Sequence, residues 1–529
     1  MTKATRPVRG RPGVAVRTLL ATLLATGLAA CSSRDGADTE PEQGSCEPNT
    51  QAFVSRPTPS PATLPFLHVS GTDVVDESGQ RVALRGVNLG SWLLVESWIP
   101  GIGIENLDCS DWNEVLIRKC EELGCERTMR VGVPLAYLQH FVALEPCARV
   151  AEFLRGWSTA HAISGEAEAI GRFWEWYDST PKVASEQELW RSVAGRFGWR
   201  ESQRLRETYR ERWITEDDLA RIAALGLSFV RLPFWYDWLE SDDAAGARFR
   251  PEGWARLHQI LEWARAHRLY VLLDMHGAPG GQNNETHSGT SDGNRLWFDE
   301  RCSAKTARLW QAIASYVADD PHVVGFDLLN EPLSIYDAGR HQAVLSQIYQ
   351  AIRAVDGRHI VMNEDGYLPL FLVPSPVEMG WENFMFSIHF YGGGTSADQR
   401  VAELAQKLAG LADVWDRRFR CPLLLGEFST YDPGAESIEA MRRSFALLDS
   451  HGIHWSPWTY KQWDASSIWG LYHAKPPFAR LDLASASLAE TRDWIAALGT
   501  EHFETDPAFE AAYREQAPTP AQPFSLDFE

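Results

Sequence analysis

From residue 81 onward, short β-rich runs alternate with longer stretches whose apolar residues recur at helical spacing. The runs lie at 81–89, 229–233, 270–275, 323–329, 359–363, 384–390, 422–428 and 453–460, and helical patterns such as 254–265, 304–317, 342–355, 397–411 and 437–448 fall between them. Alternation this strict predicts parallel strands joined by right-handed crossovers. An open doubly wound sheet alternates too. Eight strands with polar residues at their C-terminal ends instead predict a closed α/β structure, the (β/α)8 TIM barrel, whose chemistry sits on that face. A hairpin of 68–75 and 81–89 around a turn at 76–79 should precede it, and a helix at 488–498 should close it. The barrel domain is expected to span 66–500, with 501–529 as a tail.

The polar strand ends come in barrel order: Arg231, Asp274-Met275-His276, Asn330-Glu331-Pro332, His389-Phe390-Tyr391, Gly426-Glu427-Phe428 and Trp458. A single glutamate after a strand is usually a charge that suits the next helix N-terminus. Two carboxylates emerging from opposite sides of one barrel mouth, among an arginine, two histidines, an asparagine and an indole, are a different matter. Cleavage of a glycosidic bond needs such a set: a protonated acid for the leaving oxygen and an ionised carboxylate for the anomeric carbon. Gly277, Gly280 and Gly281 lack the Lys-Ser/Thr that follows in a phosphate cradle, and read as a turn that brings the chain close to substrate. No set of metal ligands stands out, so neither metal nor cofactor is expected.

In order and strand context, Arg231, His276, Asn330, Glu331, His389, Tyr391, Glu427 and Trp458 resemble the active-site set of glycoside hydrolase family 5. The stretch 85–93 with Glu96 and Trp98-Ile99-Pro100, and the stretch 274–283, are similar to segments of fungal exo-β-1,3-glucanases. The resemblance covers about 68–108 and 205–475, and it implies a retaining mechanism with Glu331 as general acid/base and Glu427 as nucleophile. Glu331 must carry a proton near neutral pH, which low solvation and a second carboxylate favour. Arg231 and the Tyr391 hydroxyl are placed to keep Glu427 ionised. Asn330 would hold the sugar 2-hydroxyl, Trp458 would floor the subsite, and His276, His389 and Glu96 would line or support the pocket. The lesser alternative for His276 is a buried structural histidine bonded to backbone. The implied substrate is a neutral β-glucan, β-1,3-linked and attacked from its end. A β-1,4-glucanase, a β-glucosidase, a transglycosylase or a glycolipid-cleaving enzyme would use the same residues, and a lipoprotein that only binds polysaccharide is the non-enzymatic alternative. The runs Gly392-Gly393-Gly394 and Asn363-Glu364-Asp365 depart from the fungal pattern and leave the outer subsites open.

A net charge of −21 opposes encounter with nucleic acid or an anionic polysaccharide and leaves a neutral ligand as the better fit, bound by a monomer. Lys3, Arg6, Arg9, Arg11 and Arg17 precede an apolar run at 19–30 too short to span a membrane, the form of an export signal. It ends in Leu28-Ala29-Ala30-Cys31, which resembles a bacterial lipobox and implies lipidation of Cys31 and anchoring to a membrane; an ordinary signal cut after Ala30 is the alternative. Residues 31–65 read as a flexible tether. The seven other cysteines are odd in number, so at least one should be free or paired outside the chain. Cys109, Cys120, Cys125 and Cys147 cluster as though bridged within one segment, a zinc site there being the weaker alternative. That segment, 109–204, is a helical insertion after the first strand, with helices near 166–177, 186–196 and 201–212. Its tryptophans at 157, 174, 176, 190 and 199 suit either the core of a small subdomain or a wall of the sugar cleft.

Overall fold

The computed structural model describes residues 46–102, 112–143, 145–243, 246–290, 293–333, 337–366, 369–430, 434–464, 469–474, 479–517 and 519–528. The export signal, Cys31 and Cys109 lie outside these. No helix among the described residues is long and apolar enough to cross a membrane.

A short antiparallel hairpin, β1 (Leu67–Ser70) and β2 (Asp73–Asp76), leads into β3 (Gly86–Asn88). β4 (Phe229–Trp235) follows, then a two-stranded ribbon of β5 (Glu240–Asp243) and β6 (Gly246–Phe249). The rest of the barrel is β7 (Tyr270–Gly277), β8 (Val323–Asp327), β9 (Ile360–Glu364), β10 (Phe384–Phe390), β11 (Leu423–Phe428) and β12 (His454–Trp455). Eight of these strands form one sheet in the order β3, β4, β7, β8, β9, β10, β11, β12, with every neighbouring pair parallel. A parallel bridge between Arg85 and Trp455, with the Trp455 N–H donating to Leu84 O at 3.1 Å, joins the last strand to the first. The (β/α)8 barrel expected from the alternation is therefore the fold.

The strands are buried on both faces, which is why they read as nearly continuous apolar runs. Phe229, Leu272, Met362, Met385 and Leu424 form one interior layer with Leu67 and Val74, so the hairpin plugs the barrel floor. Two residues further along their strands stand Arg231, Asp274, Glu364, Ser387 and Gly426. Side chains alternate with a period of two, so these positions face the same interior one layer nearer the C-terminal mouth. An apolar floor and a polar rim are thus written into the same strands.

Four expectations need correction. The expected turn at 76–79 is present, with Asp76 N–H donating to Gln80 O at 2.9 Å and Val75 bridging Arg81 antiparallel, but the run 68–75 is not one strand: it folds back on itself at Gly71, where φ of +64° suits glycine. Among the described residues the insertion holds six helices and not three: α1 (Trp112–Leu123), α2 (Glu126–Ala143), α3 (Cys147–Ala160), α4 (Ala167–Ser179), α5 (Glu186–Phe197) and α6 (Trp199–Trp213). Trp112, Met129, Leu154, Phe173 and Trp174 of the first four make a core of their own, whereas Trp190, Tyr209 and Trp213 join the barrel's. Residues 46–65, expected within a loose tether, are fastened: Cys46 is bridged to Cys302, and Arg56 pairs with buried Asp320 at 2.6 Å. The tail after residue 500 includes a helix, α7 (Pro507–Arg514), whose Phe509 and Tyr513 are buried, Tyr513 against Phe445. Cys120 pairs with Cys125, Cys147 is disulfide-bonded, and Cys421 is free and buried.

Candidate active site

Arg231 is the hub of the mouth. It is wholly buried, and such a cation persists only among partners. Its Nη1 donates to Glu427 Oε1 at 2.8 Å and Asn88 Oδ1 at 3.0 Å; Nη2 donates to Glu364 Oε1 at 2.7 Å and Asn330 Oδ1 at 2.9 Å; Nε donates to Asp327 Oδ2 at 3.0 Å. Asp274 Oδ2 lies 3.0 Å from Nη2. Burial works against its charge, but Asp274, Asp327, Glu364 and Glu427 together hold the guanidinium protonated. Desolvation in turn pushes the Asp274 and Asp327 carboxyls well above the usual range, with Arg231 opposing and neighbouring carboxylates adding to the rise.

Glu427 receives a second donor, the Tyr391 hydroxyl, at 2.9 Å from Oε2. Burial foremost, then the Glu427 and Glu331 charges, keep that phenol protonated. Gly426 beside it leaves no room for a side chain: a Cβ there would stand 2.3 Å from Ser387 Oγ and 3.1 Å from His389 Nε2. The glycine lets the His389 ring lie against β11.

Glu331 sits beyond the end of β8 with φ of +43°, an unusual conformation for a side-chain-bearing residue. Its N–H donates to Glu364 Oε2 at 2.7 Å and its carbonyl accepts from Asn283 Nδ2 at 3.0 Å, which together hold the turn. His389 Nδ1 meets Glu331 Oε1 at 2.8 Å and His287 Nε2 lies 3.2 Å from Oε2. Burial opposes a charged His389, yet Glu364, Glu427 and the bond to Glu331 hold its pKa well above the imidazole range. Oxygens of Glu331 and Glu427 approach within 4.8 Å of one another.

The His276 ring is bonded to a carboxylate rather than to backbone. Its Nδ1 is 2.7 Å from Asp274 Oδ2 and its ring stacks on Trp458 at 5.3 Å with 10° between planes. Burial keeps it neutral, well below the ordinary range. Trp458 is 3% exposed and so offers substrate only an edge or one face. Gly90 makes room for it, since a Cβ would lie 2.9 Å from the indole. Glu96 accepts from Trp98 Nε1 at 3.1 Å; Trp98 meets Trp469 edge to face at 5.5 Å, and Trp469 lies 5.1 Å from Tyr391. All nine residues expected at the site are therefore in one neighbourhood.

Sequence reasoning overlooked Asn88, Asp327, Asn283, His287 and Trp469 as site residues, and treated Asp274 and Glu364 only as flanking positions. Asp327 and Glu364 end β8 and β9, so the strand-end rule that found Arg231 applied to them as well. The donor atoms of Asp274, Asp327 and Glu364 converge within 4.8 Å, as ligands of a cation would. The guanidinium of Arg231 already touches all three and supplies that positive charge.

A barrel with two close carboxylates at the ends of its fourth and seventh strands, one bound by Arg and Tyr and the other by His, has the site of a glycoside hydrolase. The family model described as Cellulase (glycosyl hydrolase family 5) matches residues 187–464, and the chain belongs to that family. It is 24% identical to a beta-xylosidase of Phanerodontia chrysosporium over 75% of this chain and 71% of the relative. It is 28% identical to endoglucanase C of Acetivibrio thermocellus over 34% of this chain and 50% of the relative, and 32% identical to glucan 1,3-beta-glucosidase of Candida oleophila over 34% and 41%. The match thus spans half or less of the latter two proteins.

Proposed function

We propose that the protein is a retaining, exo-acting β-1,3-glucan hydrolase, exported and lipid-anchored through Cys31, and working as a monomer on a neutral chain. The observation that carries the retaining mechanism is the approach of Glu331 and Glu427 oxygens within 4.8 Å. Retaining enzymes keep their carboxyl groups ~5–5.5 Å apart, whereas inverting ones need ~6.5–9.5 Å to admit water.

In the first step Glu427 attacks the anomeric carbon and Glu331 gives its proton to the leaving oxygen, forming a glycosyl ester. Water, deprotonated by Glu331, then attacks that carbon and releases Glu427. Arg231 and Tyr391 take up the returning negative charge, and Asn330, held by Arg231, is oriented toward the sugar 2-hydroxyl. The β-1,3 linkage draws support from the segments 85–98 and 274–283 and from the Candida relative. Exo action draws support from Glu96, Trp98 and Trp469, which wall one side of the site beside Tyr391. The larger share covered by the beta-xylosidase favours a second reading, a β-glycosidase that accepts xylosides.

The deciding experiment is hydrolysis of reducing-end-labelled laminari-oligosaccharides beside cello-oligosaccharides and xylobiose, with product anomers followed by NMR. Release of β-glucose from the laminari series is expected, and Glu427→Gln should abolish it. An α-anomer would end the retaining assignment, unlabelled oligosaccharides longer than glucose among the first products would end the exo assignment, and preference for xylobiose would favour the second reading.

A further inference from the structure

The loop after β7 carries a hydrogen-bond relay aimed at the acid. Asn283 is fully buried and its amide orientation is set from two sides. Its Oδ1 accepts the Glu285 N–H at 3.0 Å, and its Nδ2 donates to the Glu331 carbonyl at 3.0 Å. The second hydrogen of Nδ2 therefore points to His287 Nε2, 3.1 Å away. A nitrogen that accepts there carries a lone pair, so the neutral His287 ring has its hydrogen on Nδ1. Glu331 Oε2 lies 3.2 Å from that same nitrogen, whose one lone pair an Oε2–H would share with Asn283 as a three-centre acceptor. Two unprotonated atoms would repel at this distance, and the contact is favourable only when Oε2 carries the hydrogen. On the other side, His389 Nδ1 stands 2.8 Å from Oε1 and serves as donor to it.

We propose that His287 is a positioning residue that keeps the acid proton of Glu331 on Oε2, oriented by Asn283 and ready for the departing sugar oxygen. The inference rests on the glycosidase reading and deepens it. In glycosylation the Oε2–H bond breaks as a new O–H bond forms on the leaving oxygen, which keeps the electron pair of the glycosidic bond. In deglycosylation a proton of the attacking water returns to Oε2 while the ester to Glu427 breaks. His287 gains and loses nothing in the cycle; it accepts a hydrogen bond whenever Glu331 is an acid. The loop is held in shape by the insertion, since Asn284 Nδ2 donates to His140 O at 2.8 Å and Gln187 N donates to Gly289 O at 3.1 Å.

Other titratable groups face Glu331 and His287: Asp274 and His276 on β7, Glu364 and Asp365 on and after β9, His389 and Tyr391 on and after β10, and Glu427 on β11, while Glu285, two residues before His287, turns its carboxylate to His140. All are common to wild type and variants, so a difference between profiles isolates His287.

The test measures kcat/KM against pH for wild type, His287→Leu and His287→Gln on two β-glucosides, one with an alkyl or sugar leaving group and one with 2,4-dinitrophenolate. Thermal unfolding checks that the variants are folded. The alkaline limb of this profile reports the essential acid. His287→Leu should move it down by about one pH unit and lower kcat/KM about tenfold on the poor leaving group, with less than about a twofold change on dinitrophenolate, which departs without a proton. His287→Gln, which keeps an acceptor, should recover most of both effects. A superimposable alkaline limb for His287→Leu, or equal losses on both substrates, would overturn the proposal. If wild type cleaves neither these glucosides nor the matching xylosides, the glycosidase reading falls and this inference falls with it.

Discussion

Replacing Glu364 by glutamine tests the wiring of the mouth without changing its shape. Both carboxylate oxygens of Glu364 accept from donors, Oε1 from Arg231 Nη2 and Oε2 from the Glu331 N–H, each at 2.7 Å. A glutamine offers one acceptor and one NH2 group, so whichever way it is turned an amide hydrogen faces another donor. Glu364 and Arg231 are fully buried, so the guanidinium has no bulk water to turn to. A lost hydrogen bond to a charged group costs roughly 1.5–3 kcal/mol, and weakening a buried ion pair adds to this while Asp274, Asp327 and Glu427 still hold Arg231, so about 2–4 kcal/mol is expected in all. Unfolding entropy for a unit of this size is about 1 kcal/mol per kelvin, which sets the fall in Tm at about 2–4 °C. Activity should suffer more than stability. The φ of +43° at Glu331 is held on its amide side by this carboxylate alone among the hydrogen bonds described, and a catalytic group displaced by ~1 Å costs about 10²-fold in rate. Calorimetry and kcat/KM on the same preparation measure both. A Glu364→Gln protein with unchanged Tm and kcat/KM within twofold of wild type would refute the claim that Glu364 positions Arg231 and the Glu331 turn.

Two further outcomes follow from the packing around the mouth. Asp365 is buried, and its carboxyl is pushed up to about 6, by burial first, with Lys407 and His389 opposing. The folded state therefore holds this proton more tightly than the unfolded chain, so the stability it contributes is present below about pH 4 and lost as pH rises through about 6. Asp365→Asn should gain about 3 kcal/mol relative to wild type, or about 3 °C in Tm, between pH 4 and pH 8; a difference that stays flat across this range would contradict the assignment. The bridge between Cys46 and Cys302 closes a sequence separation of 256 residues and pins the segment before the barrel to its wall. Cys302→Ser should lower Tm by up to about 5 °C on the chain-entropy argument, and calorimetry showing no change would mean that the bridge restrains nothing.

What was legible in the sequence and what was not divide along a physical line. Arg231, Glu427 and the catalytic-side histidines stand at strand ends, where a period of two and a closed barrel decide which residues share the mouth. Glu364 and Asp327 obey the same rule and were still passed over, because an acidic residue leaving a strand is equally expected of a turn or a helix start. Only the buried guanidinium between them reveals that they carry its charge. The first three helices of the insertion escaped notice because α2 carries Pro134 within it and Gly124 lies between α1 and α2, and both are ordinary signs of loops. The relay through Asn283 and His287 is harder still. Its geometry depends on a loop braced by residues 103 and 144 positions away, through Gln187 bonded to Thr290 and His140 bonded to Asn284. A pattern along the chain reports which groups reach a site. The orientation of one amide, and with it the oxygen that keeps a proton, is decided by contacts that no local pattern encodes, and so the insertion bears on the chemistry through the loop that it braces.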